Sequence, residues 1–338
     1  VGKATTSTVL FVDTPDSDLH QPGPGHPDSP ERMEAVRRAA EHVPGLERSE
    51  GRLADPTELA TVHHGDYVDQ ITLLSESGGG LVDPDTFVSA GTYRAACGAA
   101  GAGLTAIDQL AGRHDLGAAF VATRPPGHHA SRDSGAGFCI FNNIAIAAAT
   151  LLGRGERVAI IDWDAHHGNG TEQIFWNEPD VLYVSIHQEG LYPGTGRPHQ
   201  RGPAADNLTT VNLPLPAGAT GDVYLEAFDT IIEPLVRRFG PSWVLVSTGF
   251  DAHTDDPLAD MALEAPDFAH MALKVVGWAP APGGTALFLE GGYDLEALER
   301  SLHGVLVALT SGQSPAEGPT GGGPGRMRIA ELARLWAR

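Results

Sequence analysis

Apolar residues in this chain form either short unbroken runs or stretches with a three-to-four-residue period, and the two patterns predict different elements. The runs at residues 8–13, 117–123, 158–161, 181–186, 243–248 and 285–289 read as buried strands. Helical spacing occupies residues 66–74, 92–110 and 142–152, the last two rich in alanine and so expected to pack close to a sheet. Tyr224, Leu225, Phe228, Ile231, Ile232, Leu235, Val236 and Phe239 form one apolar stripe on a crossover helix. Residues 266–276 and 295–309 predict two more helices. Ser29 is expected to cap a helix with Pro30 at its first position, running towards His42. Residues 15–30 read as an irregular polar loop, and Gly78, Gly79 and Gly80 as a flexible separator. Strands alternating with helices give an α/β fold with a mostly parallel central sheet flanked by helices.

No internal repeat is visible, and composition does not break before Ser311. The expected organisation is a single domain over residues 1–310. It is followed by a segment, 311–338, that is Gly/Pro-rich and mobile to 326 and ends in a short helix, 329–336, on or near the domain. The 338 residues suffice for a substantial core. Charge narrows the partners: 22 Lys+Arg against 43 Asp+Glu give a net charge of −21, which repels nucleic acid and anionic membranes and favours cationic partners. Cys97 and Cys139 make no disulfide framework. With no leader-like pattern from Val1 and no run of the ~18 apolar residues that a membrane span needs, a cytoplasmic setting is expected.

The unusual residues collect where the strands stop. The 158–161 run leads to Asp162, Asp164 and His166, which share one side if extended geometry persists. Other runs lead to Arg124-Pro-Pro-Gly127-His128-His129, to Ser185 and His187, to Gly249-Phe-Asp251-Ala-His253, and to Glu290-Gly-Gly-Tyr293. Ligands of open parallel sheets bind beyond the carboxyl ends of strands. Asp164, His166 and Asp251 would form a metal site with an open fourth position. An aspartate at a strand end is by itself more often a turn or capping residue, and only the joint pattern points to metal. His128 and His129, on a loop stiffened by two prolines, suit an acid and a base, with Asp162 and Asn169 as partners giving them different basicities. Tyr293 could donate to a developing oxyanion or simply be an aromatic with a satisfied hydroxyl. His63, His64, His187 and His253 read as structural.

Together these segments resemble the zinc-dependent histone deacetylase superfamily, which includes class II-like bacterial deacetylases and acetylpolyamine amidohydrolases. The resemblance runs from about His26 to Leu309. It rests on His26-Pro27 with Pro30-Glu31-Arg32, on Arg124 to His129, Gly137-Phe138-Cys139, Asp162 to Thr171, Tyr192 to Thr195, Gly249 to Ala252 and Glu290 to Tyr293. It implies the arginase/deacetylase fold, with zinc on Asp164, His166 and Asp251. His128 and His129 would be the general acid/base pair oriented by Asp162 and Asn169, and Tyr293 the oxyanion donor. Asn169 is the class II choice. Phe138 and Tyr192 match the aromatic pair walling the acyl-lysine tunnel, next to Gly137, while Gly291 matches a narrowing of that tunnel and Arg32 a residue near the acetate exit. A structural potassium ion would use Asp162, Asp164, His166, Ser185 and Ile186. The chain departs from many relatives at the rim loop, residues 197–207, which lacks their glycine repeat.

The implied activity is zinc-dependent amidohydrolysis that frees the amine of an acyl-lysine residue from an acetyl or similar group. Polyamine-selective relatives carry an acidic gatekeeper where this chain has Leu258, which favours acyl-lysine peptides over acetylpolyamines. An acylated small molecule is a further candidate substrate. A non-catalytic acyl-lysine-binding scaffold would be expected to lack a ligand, a histidine or the tyrosine, and none is missing. Two carboxylates and an imidazole also suit iron(II), and the sequence is compatible with a homo-oligomer.

Overall fold

The computed structural model of the protein describes residues 8–202, 209–280 and 283–336. Ten strands are present among them: β1 (Thr8–Asp13), β2 (Leu46–Glu50), β3 (Gly79–Asp83), β4 (Thr86–Ser89), β5 (Leu116–Ala122), β6 (Val158–Asp162), β7 (Val181–Gln188), β8 (Thr210–Leu215), β9 (Trp243–Thr248) and β10 (Thr285–Leu289). Eight of them form one sheet in the order β2-β1-β5-β10-β9-β6-β7-β8, and every pairing in it is parallel. All the carboxyl ends therefore meet along one edge.

Period-two alternation sends side chains to two cores. Val9, Phe11, Ala159 and Ile161 face a core covered by the helices Glu31–Ala39, Ala265–Val276 and Leu295–Ser311. Leu10, Val12, Val158 and Ile160 face a second core under the helices Gly65–Glu76, Thr92–Gly112 and Asn143–Gly153. The small residues of Thr92–Gly112 permit the expected close approach. A Cβ on Gly101 would stand 2.0 Å from the carbonyl oxygen of Arg52, and one on Gly103 would stand 2.6 Å from the Phe288 ring of β10. The apolar stripe of residues 224–239 forms one continuous helical path with a π turn at Phe228–Ile232.

Several expectations need correction. The glycine triplet is not a bare separator, since Gly79 and Gly80 pair with Ser89 and Val88 in the β3–β4 hairpin. Residues 15–30 include a 3₁₀ helix, Pro15–Leu19, capped by Thr14, whose hydroxyl accepts from the N–H of Asp16 at 3.2 Å. The following helix begins at Glu31, with Pro30 rather than Ser29 at its cap, and stops at Ala39. Residues 312–325 are tethered: Thr320 donates to Asp267 at 2.7 Å and Arg326 pairs with Asp222 at 2.7 Å. The last helix, Arg326–Trp336, starts earlier than expected and buries Ile329, Leu332 and Trp336 in the first core. The rim loop 197–207 is described only to Gly202, so its outer part lies outside the described residues, as does the segment before Thr8. Among the described residues no helix is long and apolar enough to cross a membrane.

Candidate active site

β6 ends at Asp162, so Asp164 and His166 do not share a strand face. A loop brings them together instead. The N–H of Asp164 donates to Asp162 at 3.2 Å, and that of His166 donates to Asp164 Oδ1 at 2.9 Å, a turn built on aspartate side chains. From β9, Asp251 joins them. Its Oδ1 accepts from the N–H of Ala165 at 2.8 Å, and its Oδ2 lies 2.9 Å from His166 Nδ1, which is also 3.1 Å from Asp164 Oδ1. One ligand atom from each of the three lies within 4.8 Å of the others.

This packing depends on glycine. A Cβ on Gly249 would stand 2.1 Å from Asp164 Oδ2, and one on Gly291 would stand 2.2 Å from Asp251 Oδ2. Burial, reinforced by the neighbouring Asp164, pushes the Asp251 carboxyl up to about 7. Two buried carboxylates at such range disfavour a second negative charge unless a cation joins them. With a borderline nitrogen donor and hard oxygen donors, the set fits zinc or another first-row divalent ion.

His128 and His129 face this cluster from the loop after β5, with ring centroids 4.0 Å apart. Their inner nitrogens meet different partners: His128 Nδ1 lies 3.1 Å from Asp162 Oδ2, and His129 Nδ1 lies 2.8 Å from Asn169 Oδ1. The difference in charge separates them. Burial works against a charged His128, but Asp164 and Asp162 outweigh it and raise its pKa to about 10. Burial, then the neighbouring His128 and His166, hold His129 well below the ordinary imidazole range.

Glu290, placed by the sequence at a strand end but given no role, and Tyr183, which the sequence does not single out, also serve this site. Glu290 sits at the end of β10 and accepts from the N–H groups of Gly127 at 2.7 Å and His128 at 3.2 Å, fixing the turn that carries both histidines. Burial pushes its carboxyl up to about 7. The signal available was its place at a strand end, but nothing in spacing revealed that its partners are backbone groups. Tyr183 of β7 donates to Asp162 at 3.1 Å and to the carbonyl of Gly168 at 2.9 Å. In sequence it is one apolar residue in a buried run.

A cavity of about 220 Å³ opens beside the cluster. His129, His166 and Tyr293 line it together with Gly137, Phe138, Tyr192 and Leu258, and with Leu191 and Asp85, which the sequence did not single out. Phe138 stands edge-on to Tyr293 at 5.6 Å, and Tyr192 edge-on to His129 at 5.1 Å. Gly137 is forced by the crowding here, because a Cβ would stand 2.4 Å from the His129 ring. Asp85 lies in the β3–β4 turn and accepts from the N–H of Gly137 at 3.2 Å. The glycines of β3 give that hairpin no strand pattern in sequence, so spacing alone does not bring Asp85 here.

Gly291 and Arg32 are not among the cavity-lining residues. Gly291 lies behind the cluster and donates its N–H to Asp164 at 2.9 Å. Arg32 is fully buried behind Tyr293, its guanidinium 5.0 Å from that ring. Its donors go to Asp28 at 2.7 Å and to the carbonyls of Gly292 at 2.7 Å and Glu290 at 2.6 Å. Of the residues suggested for potassium, Asp162 and Ser185 are opposite one another in the β6–β7 register, with Ile186 next in β7. His63 and His253 act structurally, accepting from the N–H groups of Asn142 at 2.9 Å and Asp255 at 3.1 Å.

Residues 26–309 match the histone deacetylase domain family. A probable deacetylase from Archaeoglobus fulgidus is 40% identical over 302 residues, spanning 86% of this chain and 83% of its own. A histone deacetylase-like amidohydrolase from Pseudomonas aeruginosa is 38% identical over 279 residues, spanning 80% of this chain and 73% of its own. The crystal structure of the HDA15 HD domain superposes with a TM-score of 0.89 at 30% identity, covering 98% of this chain and 96% of that one.

Proposed function

The chain belongs to the histone deacetylase family and is a hydrolase acting on amides, and from that premise we propose that it is a zinc-dependent deacetylase of acyl-lysine residues. The observation that carries this reading is the cluster of Asp164, His166 and Asp251 beside two histidines with different partners, next to a cavity that His129, His166 and Tyr293 line. Asp164, His166 and Asp251 would hold the zinc. When bound, zinc polarises the acyl carbonyl and acidifies water.

The remaining chemistry belongs to the side chains. His129, neutral and with Nδ1–H given to Asn169, keeps its Nε2 lone pair to take a proton from the attacking water. His128, with Nδ1 held by the Asp162 carboxylate, delivers a proton to the departing amine. Burial holds the Tyr293 hydroxyl well above the ordinary tyrosine range, so it stays protonated and donates to the carbonyl oxygen as charge develops there. Phe138 and Tyr192 flank the acyl-bearing chain. Potassium at Asp162, Asp164, His166, Ser185 and Ile186 would stiffen the base of the same loop.

Leu258 at the cavity supports an acyl-lysine substrate, because a polyamine carries a second cation that an apolar side chain does not stabilise. Acetylpolyamines and acylated small molecules are the competing substrates. The test is metal analysis of purified protein combined with turnover of acetyl-lysine peptides, acetylated polyamines and longer acyl groups. Acetyl-lysine peptide should be the best substrate; preference for the polyamine would overturn the substrate, and no turnover by metal-loaded protein would overturn the activity.

A further inference from the structure

Tyr192 rides on a loop at the rim of the cavity. Tyr192 is 39% exposed, and Gly194 and Gly196 adopt φ values of 77° and 80°, a region where glycine is favoured. What holds the loop lies underneath. Two buried imidazoles, His167 and His187, have ring centroids 4.9 Å apart, and the loop lies directly on them: a Cβ on Gly196 would stand 2.5 Å from His187 and 2.8 Å from His167.

The hydrogen bonds give each ring an orientation. His187 Nε2 lies 3.2 Å from the carbonyl oxygen of Gly196, which can only accept, so Nε2 carries the proton. In the neutral ring Nδ1 then accepts from the Ser185 hydroxyl at 2.8 Å. His167 Nε2 lies 3.2 Å from the Glu172 carboxylate, another obligate acceptor, and in the neutral ring its Nδ1 accepts from the Thr195 hydroxyl at 2.7 Å. Asn212 of β8 donates to the same carboxylate oxygen. A polar chain thus runs from the edge strand through the buried Glu172 and His167 to the exposed Thr195, three residues beyond Tyr192.

We propose that His167 and His187 are positioning residues for Tyr192, gripping the loop through Thr195 and the Gly196 carbonyl and so setting how tightly the cavity holds its substrate. The proposal rests on the reading of this cavity as the acyl-amine site. Its consequence is specific: loosening the grip weakens substrate binding and leaves the groups that move protons in place, so KM should change and kcat should not.

The test is a double-mutant cycle on the metal-loaded full chain, with an acetyl-lysine peptide as substrate. Thr195→Val keeps the shape and removes the hydroxyl; it should raise KM about three- to tenfold with kcat within about twofold. Thr195→Ser should restore the wild-type KM. In a Tyr192→Ala background Thr195→Val should have no further effect, because the wall it positions is gone. Gly196→Ala pushes the loop off the rings from the other side and should raise KM in the same way, which keeps the test open if Thr195→Val fails to fold. A fall in kcat at constant KM, or independent effects of Thr195→Val and Tyr192→Ala, would overturn the proposal while leaving the deacetylase reading intact. A metal-loaded wild type that turns over no acyl-amine would overturn both.

Discussion

His129 Nδ1 is 2.8 Å from the side-chain oxygen of Asn169. An amide oxygen only accepts, so Nδ1 carries the proton, and Nε2 is left with a free lone pair. The uncharged partner opposes burial only through this hydrogen bond, which burial and the neighbouring His128 and His166 outweigh, so the ring stays neutral.

Asn169→Asp therefore changes the base without moving it. The introduced anion favours the imidazolium, and the acidic limb of the kcat/KM profile should move to higher pH by on the order of one unit. The pH dependence of kcat/KM between pH 5 and 9 measures this, and an acidic limb that stays in place would remove His129 from the role of base.

Tyr293→Phe removes one donor and nothing else. With its hydroxyl held protonated by burial, the tyrosine contributes only as charge develops on the substrate, so kcat should fall by roughly 10²–10³. Metal content and melting temperature should match wild type. A variant that retains its kcat would show that the hydroxyl does not face the reacting carbonyl.

Gly291→Ala tests the metal centre without touching a ligand. The added methyl would stand 2.2 Å from Asp251 Oδ2 and 2.8 Å from Asp164 Oδ2, so both carboxylates must turn aside. Metal affinity should drop by at least about tenfold, read as zinc retained against a competing chelator. Equal retention in variant and wild type would mean that these oxygens do not hold the ion.

What could be read from sequence follows a physical divide. Strands buried on both faces, such as β6 and β9, announce themselves as apolar runs, and the residues after them could be assembled because parallel strands deliver their ends to one edge. Strands at the sheet margins do not. β2 is Leu-Glu-Arg-Ser-Glu, paired on one side only, and β8 contains Pro214, which an edge tolerates because one side of the strand has no ladder partner. The β3–β4 hairpin was hidden by glycines, and with it Asp85. The roles of Glu290 and of the His167–His187 pair do not show in sequence for another reason: these residues act through backbone groups and a loop hydroxyl, which carry no pattern in sequence.

The final prediction concerns stability rather than turnover. His63 is buried and accepts from the N–H of Asn142, the residue whose side chain caps the helix Asn143–Gly153 by accepting from Ala145 at 3.0 Å. Burial lowers its pKa to about 4. Above pH ~6.5 the ring is neutral whether the chain is folded or not, so it adds no pH dependence. Between ~6.5 and about 4 the unfolded chain takes up a proton that the folded one refuses, and stability falls as pH drops through this window, by roughly 3 kcal/mol at full extent. His20, also held at about 4 by burial, acts in the same direction. Glu290 acts in the opposite one, since its carboxyl at about 7 makes the folded state lose stability as pH rises from ~4.5. The wild-type curve mixes these slopes, but its difference from His63→Gln isolates one. Denaturant unfolding of both proteins from pH 7 to pH 4.5 should show the wild type's advantage shrinking with acidification. Parallel curves would mean that folded His63 takes up its proton as readily as it does in the unfolded chain.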